Sequence, residues 1–432
     1  MDVRCIILTM PKIRLPHAHA VRILRLIYEY NRISRSDLVQ KTGYSAFLIS
    51  KLCERLLRGG YISETGSGDS TGGRRPTLLS ISPGLGRVIG IHLGTVNVRI
   101  ALTDITGTLI ESLKAPSKAS AGPEIAIPHL IELTERVLHK ANVSHGDLRG
   151  IGMGISGVLD RENGTTLFWP KVPQWVNVPV QKLLEDHFQC GVQLEDTPRT
   201  MAFAERRIGV AQGISEFIYL MIGAGTGSAL FLNGQLYTGS NGFAGEFGHI
   251  TIDENGPLCS CGNRGCLETL ISASTLIRKA QQALSQGLSI QLWQLTAGDP
   301  DKVSVEMIAQ AARDNDRFSI RLLTEAGTHL GLAMVGLINL LNPELIVVGG
   351  GLALAAGELL LPHVERVIRD RALIRAVNKV SIQISGLQDL DWARGAALLV
   401  AEKALEPMFL ESLQPQKPPA TTAKRRRSIS RR

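Results

Sequence analysis

Residues 223–268 are the stretch on which the reading of the fold turns. It opens Gly223-Ala224-Gly225-Thr226-Gly227-Ser228, passes through Asn233-Gly234, and reaches Ala244-Gly245-Glu246-Phe247-Gly248-His249. It closes on Cys259-Ser260-Cys261-Gly262-Asn263-Arg264-Gly265-Cys266-Leu267-Glu268. One histidine is thus followed by three cysteines packed into a single short turn-rich segment. Tetrahedral zinc takes such a Cys3His set, and the intervening Gly and Asn residues allow turns tight enough to bring thiolates together. Clustered cysteines with glycine at the turns read as a site rather than as unrelated buried thiols. The spacing therefore predicts one metal ion on His249, Cys259, Cys261 and Cys266.

These residues resemble the signature of the ROK family (repressors, open reading frames and sugar kinases). The resemblance spans residues 15–410. It implies an α/β body with two actin-like lobes, of the sugar kinase-like, ribonuclease H-like kind. It implies that the metal is a structural zinc. It also implies that Gly157, Glu195, Asp196, Glu246, His249 and Glu268 line a sugar pocket. In the kinases of the family, Gly223, Gly225, Thr226 and Gly227 would face nucleotide phosphates.

The chain has 432 residues, enough for two or three domains with real cores. No apolar run approaches the ~20 residues of a membrane span, so membrane insertion is not expected. The start lacks a long apolar region and a cleavage site, so no signal peptide is read there. Cys5, Cys53 and Cys190 show no paired spacing, which fits a reducing cytoplasm. Charge is unevenly spread. Residues 1–90 carry 14 basic and 6 acidic residues, residues 421–432 carry six basic and no acidic ones, and the whole chain is +8. A basic head and tail therefore flank an acidic body, which suggests a polyanion partner for the ends.

The head reads as three helices and a hairpin. Ile23, Leu24, Ile27 and Tyr30 make one helical face, and Ser34 and Ser36 offer caps for a second helix that ends at Gly43. A third helix runs from near Ser45 to Arg58, with Ile49, Leu52 and Leu56 on one face. Tyr61-Ile62-Ser63 and Thr77 to Ile81 read as strands around Gly72-Gly73-Arg74-Arg75-Pro76. This is the outline of a winged helix-turn-helix. Its recognition helix would present Ser45, Ala46, Leu48, Ser50 and Lys51 to base edges of double-stranded DNA. Arg74 and Arg75, at the tip of the wing, would grip phosphate or enter a minor groove. The order also resembles the DNA-binding head of ROK repressors.

The body departs from the kinases of the family at two places. Where they carry an Asp-x-Gly-Gly-Thr phosphate loop, this chain has His92-Leu93-Gly94-Thr95-Val96. A carboxylate for magnesium, a glycine for phosphate approach and a hydroxyl are all replaced. Where they carry Asn-Asp, this chain has Glu195-Asp196. Asp196, the general base of the kinases, is kept and would be vestigial, or would cap the helix that follows.

The sequence thus predicts five segments: a winged helix-turn-helix over 1–82, a first lobe over 83–200 and a second lobe with the metal motif over 201–390. A C-terminal helix over 391–410 returns to the first lobe, and a disordered basic tail covers 411–432. The expected function is a cytoplasmic, sugar- or sugar phosphate-responsive repressor binding an operator as a homodimer or homotetramer, without catalytic residues. The rival is an ATP-dependent kinase of a hexose or N-acylhexosamine.

Overall fold

The computed structural model describes residues 18–68 and 75–410. Arg74, Cys5 and the basic tail lie outside the described residues. Among those described, 18–28, 32–80 and 405–410 form one compact unit, and 29–31 with 81–404 form another.

The first unit is built on α1 (Ala18–Tyr30), β1 (Ile33–Ser34), α2 (Arg35–Thr42), α3 (Ala46–Arg58), β2 (Ile62–Ser67) and β3 (Thr77–Ile81). Local chemistry sets the turn between α2 and its neighbours. The Ser34 hydroxyl accepts from Asp37 N–H at 3.1 Å, and the Asp37 carboxylate accepts from Ser34 N–H at 3.1 Å. This reciprocal cap satisfies two of the orphan donors of a helix start. At the other end Gly43 is left-handed and donates to Val39 C=O. Ser45 caps α3 through Leu48 N–H at 3.3 Å. The core is Ile23, Leu24, Ile27, Leu38, Ile49, Leu52, Cys53 and Leu56, all buried. Each fully buried aliphatic side chain contributes ~1.5–3 kcal/mol. The sheet order β1-β3-β2 adds a third strand to the expected hairpin, with Ile33 opposite Leu79.

The second unit opens with β4 (Arg87–Leu93), β5 (Asn97–Asp104), β6 (Leu109–Pro116), α4 (Pro123–Lys140) and β7 (Leu148–Ile155). A small sheet of β8 (Val158–Asp160), β9 (Thr165–Phe168) and β10 (Val176–Val178) follows, then α5 (Val180–Phe188), β11 (Val192–Asp196) and α6 (Thr197–Ile208). Next come β12 (Phe217–Ile222), β13 (Thr226–Leu232) and β14 (Gln235–Tyr237). The helices α7 (Leu267–Ile271), α8 (Ala273–Ser285), α9 (Ile290–Thr296), α10 (Val305–Arg313) and α11 (Arg317–Leu341) lead to β15 (Leu345–Gly349). The chain continues through α12 (Gly351–Arg371), α13 (Ile374–Val377), β16 (Ser381–Ile384) and α14 (Asp391–Leu410).

The two large sheets are copies of one plan. Their orders are β11-β7-β4-β5-β6 and β14-β13-β12-β15-β16. In each, three antiparallel strands are followed by two parallel ones, β7 and β11 in the first and β15 and β16 in the second. Parallel neighbours require crossover helices, which is why each sheet ends in βαβ segments covered by helices. Buried apolar residues of α8, α10, α11 and α12 form the core against β12 and β15. Those of α4 and α5 cover the first sheet. Helix α14 lies on β4 and β7 at a distance only glycine permits. A Cβ on Gly90 would fall 1.9 Å from Ala393 C=O, and one on Gly152 would fall 1.8 Å from Ala396 C=O.

Candidate functional site

Metal cluster. His249 ends a one-turn 3-10 helix, Phe247–His249, and Cys266 caps α7. The hairpin between them is closed by Cys259 N–H on Asn263 C=O at 2.7 Å and by Gly262 N–H on Cys259 C=O at 3.0 Å. These bonds bring His249, Cys259, Cys261 and Cys266 together, with one ligand atom from each within 4.8 Å of the others. The Cys261 and Cys266 sulfurs are 3.7 Å apart, and Cys259 Sγ is 3.6 Å from His249 Nδ1. Zn–S bonds of ~2.3 Å in a tetrahedron set sulfur–sulfur edges of about 3.8 Å, so the four groups fit such an ion. The thiols are also poised for a cation. Asn263 N–H lowers the Cys261 thiol, while burial and then the neighbouring thiols push Cys266 up to about 12. Three thiols this close cannot all ionise without a positive charge among them. Asn263 Nδ2 lies 3.5 Å from Cys266 Sγ and donates to Thr251 Oγ1 at 2.8 Å, which orients the ligand from outside.

The cluster is tied to the glycine loop. Glu268, two residues after Cys266, accepts Thr226 N–H at 2.7 Å. Gly223 N–H donates to Gly225 C=O at 2.9 Å, and Gly223 C=O accepts from Ala273 N–H at 2.7 Å. Gly223–Gly225 therefore form a tight turn between β12 and β13, Gly227 lies within β13 opposite Met221, and the N–H that opens β13 is already taken by a carboxylate. Beside it, Ser228 holds Gly245 C=O at 2.8 Å, which places the Glu246–His249 turn along β13. Glu246 is exposed, and its carboxylate makes no hydrogen bond or ion pair among the described residues. Burial lowers the Lys171 ammonium, on the loop after β9, and the Glu268 charge partly offsets this.

The corner of the first sheet holds charges that sequence reasoning missed. Asp196 caps α6 through Arg199 N–H at 3.0 Å, as a capping carboxylate should. Arg161 donates to Glu195 Oε1 at 2.5 Å, to Asp196 Oδ2 at 2.7 Å and to Gly242 C=O at 3.0 Å. Arg199, 1% exposed, donates to Glu195 Oε1 at 3.3 Å and lies 3.2 Å from Asp196 Oδ2. Its other nitrogen donates to Gly242 C=O at 2.7 Å and Ala244 C=O at 2.8 Å. Two carboxylates and two guanidiniums thus form a quartet, buried at Glu195 and Arg199 and half-buried at Arg161 and Asp196, that reaches from the first sheet to the loop before Glu246. Burial, and then the Glu195 charge, push the Asp196 carboxyl up to about 7 against the pull of Arg199 and Arg161. Gly157, near this corner, has φ +120°, and a Cβ there would meet Phe168 C=O at 2.6 Å. The structure therefore brings Glu195, Asp196, Gly245–His249, Cys266 and Glu268 into one connected neighbourhood.

His92 lies buried at the end of β4. Its Nδ1 accepts from Arg99 at 3.2 Å, its ring packs 4.9 Å from Trp392, and Arg99 also pairs with Asp389. Burial, and then the Arg99 charge, hold the imidazole neutral, with its pKa down to about 3.

On α3, Ala46, Ser50 and Lys51 are exposed, Leu48 is half-buried, and the hydroxyl of Ser45 is engaged as the cap. Arg75 is exposed. Phe47, which the reading of the helix missed, is 78% exposed on its first turn. An aromatic ring so placed gains nothing from folding and suits a thymine methyl in a major groove. Its signal was available, since Phe47 falls off the Ile49-Leu52-Leu56 stripe. If it reads a methyl, replacing thymine by uracil in a selected operator weakens the intact protein, and has no effect on Phe47→Ala. Equal losses in both would show that Phe47 does not read the base.

The chain thus carries a head of helix-turn-helix outline and a doubled α/β body with a Cys3His cluster beside a glycine loop. The chain belongs to the ROK family, whose model matches residues 88–403. It is 31% identical over 383 residues to the xylose repressor of Caldicellulosiruptor bescii, covering 89% of this chain and 95% of the relative. It is 29% identical over 317 residues to the glucokinase of Thermotoga maritima, covering 73% of this chain and 98% of that enzyme. Among solved structures, a ROK family transcriptional regulator, homolog of the E. coli MLC protein, matches with TM-score 0.73 and 26% identity over 92% of this chain and 98% of its own. Among the described residues, no helix is long and apolar enough to cross a membrane.

Proposed function

We propose that this protein is a sugar-responsive transcriptional repressor of carbohydrate uptake or metabolism genes. The observation that carries this reading is coverage. Repressor-type relatives match along nearly the whole chain, head included, whereas the glucokinase matches 73% of it. Residues 1–82 bind the operator, with Ser45, Ala46, Phe47, Ser50 and Lys51 toward bases and Arg74 and Arg75 toward phosphate or minor groove. The sugar lodges against Gly157, Glu246, His249 and Glu268 and the quartet at Glu195 and Asp196. Carboxylates suit this role because each accepts several hydroxyl hydrogen bonds. A zinc ion on His249, Cys259, Cys261 and Cys266 would hold the Glu246–Glu268 segment in shape; His249 turns Nδ1 toward Cys259 Sγ at 3.6 Å, which leaves Nε2 for a sugar hydroxyl. The protein acts as a homodimer or homotetramer. Half-sites about one helical turn (~34 Å) apart make operator fit sensitive to modest ligand-driven changes.

The kinase reading is disfavoured by chemistry at two atoms. Both Asp196 oxygens are engaged, one by an α6 N–H and the other by two guanidiniums, so the carboxylate is held in the service of this corner rather than presented to a sugar hydroxyl proton. A neutral imidazole beside Arg99 stands where the kinases place a magnesium-holding carboxylate. Purified protein is expected to consume no ATP across a panel of pentoses, hexoses and N-acylhexosamines. Sugar-dependent turnover on the order of 1 per second or faster would make it an enzyme.

A further inference from the structure

Glu135, His145 and His187 sit on the helical layer of the first large sheet, outside every group used above. Glu135 Oε1 lies 2.9 Å from Nε2 of His145 and 2.7 Å from Nε2 of His187. One ligand atom from each of the three lies within 4.8 Å of the others. They come from three places: Glu135 from α4, His145 from the 3-10 turn His145–Asp147, and His187 from the last turn of α5. That convergence is held from behind. Ser144 N–H and Oγ both bond Asp147, at 3.1 and 2.8 Å, which fixes the turn. Phe188, fully buried, packs edge-on against both imidazoles, with centroids 5.3 Å from His145 and 4.7 Å from His187.

We propose that these residues form a second metal site, for a divalent transition ion of the zinc, cobalt and nickel class. Two imidazole nitrogens and one carboxylate oxygen suit such ions, whereas magnesium and calcium take oxygen ligands throughout. Metal–ligand bonds of ~2.0–2.2 Å need the three atoms to spread by a few tenths of an ångström from their present spacing. The side chains can do so, being 40%, 37% and 41% exposed. The same exposure gives the ion an entry path and leaves its remaining positions to water. Once bound, it ties α4, α5 and the 145 turn together, so binding stabilises the first lobe and competes with protons for the imidazoles.

The test titrates the full-length protein with Co2+ and counts bound ions by metal analysis. Cobalt on thiolates gives an intense charge-transfer absorption, and cobalt on nitrogen and oxygen gives only weak visible bands, so the two sites are read separately. Wild type is expected to hold one more equivalent than His187→Ala, with the extra ion in the weak-band class. Glu135→Gln, which keeps the size of the side chain, should weaken that equivalent by more than the ~10-fold typical of losing an outer-shell partner. The ion should raise the melting temperature of wild type and of neither variant. Equal stoichiometry and affinity in all three proteins, or a thermal shift that persists in the variants, would overturn the site.

Discussion

Cys261→Ser is expected to cost the protein its zinc and its sugar response while leaving the fold of the head intact. Cys261 is the one exposed ligand of the four, so its replacement removes a donor without opening a cavity in the core. Among the described residues the hairpin has two isolated β-bridges, Thr251–Cys266 and Leu258–Arg264, and no strand, so a bound zinc would carry much of its order. Zinc supplies apparent folding free energies of ~10–16 kcal/mol in peptides it alone organises, and part of that sum is lost here. Because Glu268 follows Cys266 and holds Thr226 N–H, disorder spreads to the glycine turn and to the Glu246 segment. Metal analysis should fall from one zinc per chain at this site to none. Sugar should then no longer raise the melting temperature. Native protein without zinc, or a variant that still binds sugar normally, would refute the coupling.

Arg199→Met should be the most damaging single change in the body. It strips donors from Glu195, Asp196 and two backbone carbonyls at once. Breaking a buried charge network by removing one partner costs roughly 3–5 kcal/mol, because two carboxylates are then left to share the single guanidinium of Arg161. Denaturant unfolding of the variant measures this directly. The penalty has a pH signature. Asp196 in the fold already titrates at about 7, above its ordinary range, so its protonated form favours the folded state. Folding stability from this group is greatest at low pH and declines as pH rises through 7. The Arg199→Met penalty should therefore grow over the same window and shrink in acid. Adding Glu195→Gln to Arg199→Met should recover much of the loss, since the remaining Asp196 carboxylate still pairs with Arg161 and the charges balance again. A penalty below about 1 kcal/mol would mean the quartet contributes no more than an exposed ion pair.

Physical range decides which of these features could be read from the sequence. The Cys3His cluster was legible because three of its four residues lie within one hairpin, and the head because its caps and apolar stripes are local. Ser34 caps α2 and Gly43 ends it, each as expected and within four residues of its partner, whereas Ser45, read as a base contact, spends its hydroxyl as the cap of α3. The duplicated sheet plan was not legible, since it depends on pairings such as β12 with β15, more than a hundred residues apart. Helices α4 and α12 were hidden for a different reason. Each contains a proline, Pro128 and Pro362, at a position that sequence rules treat as a break. The quartet was missed because Arg161 lies 34 residues from Glu195. Arg199 carried a signal all the same. A cation in the first turn of a helix opposes the helix dipole, and such a residue needs another partner. Here it has two carboxylates.

The account stands most directly on whether a sugar held at Glu246 controls operator binding. Glu246 is exposed and unpaired among the described residues, so Glu246→Ala should leave fold and metal unchanged. A selected operator is titrated with wild type and Glu246→Ala, each with and without xylose, glucose or N-acetylglucosamine. One of these sugars should change the operator affinity of wild type. Glu246→Ala should bind operator equally well alone and respond to that sugar only at higher concentration, by the roughly 1.5–3 kcal/mol of a lost charged hydrogen bond. A wild-type protein whose operator affinity ignores every sugar, or a variant with an unaltered response, would contradict it.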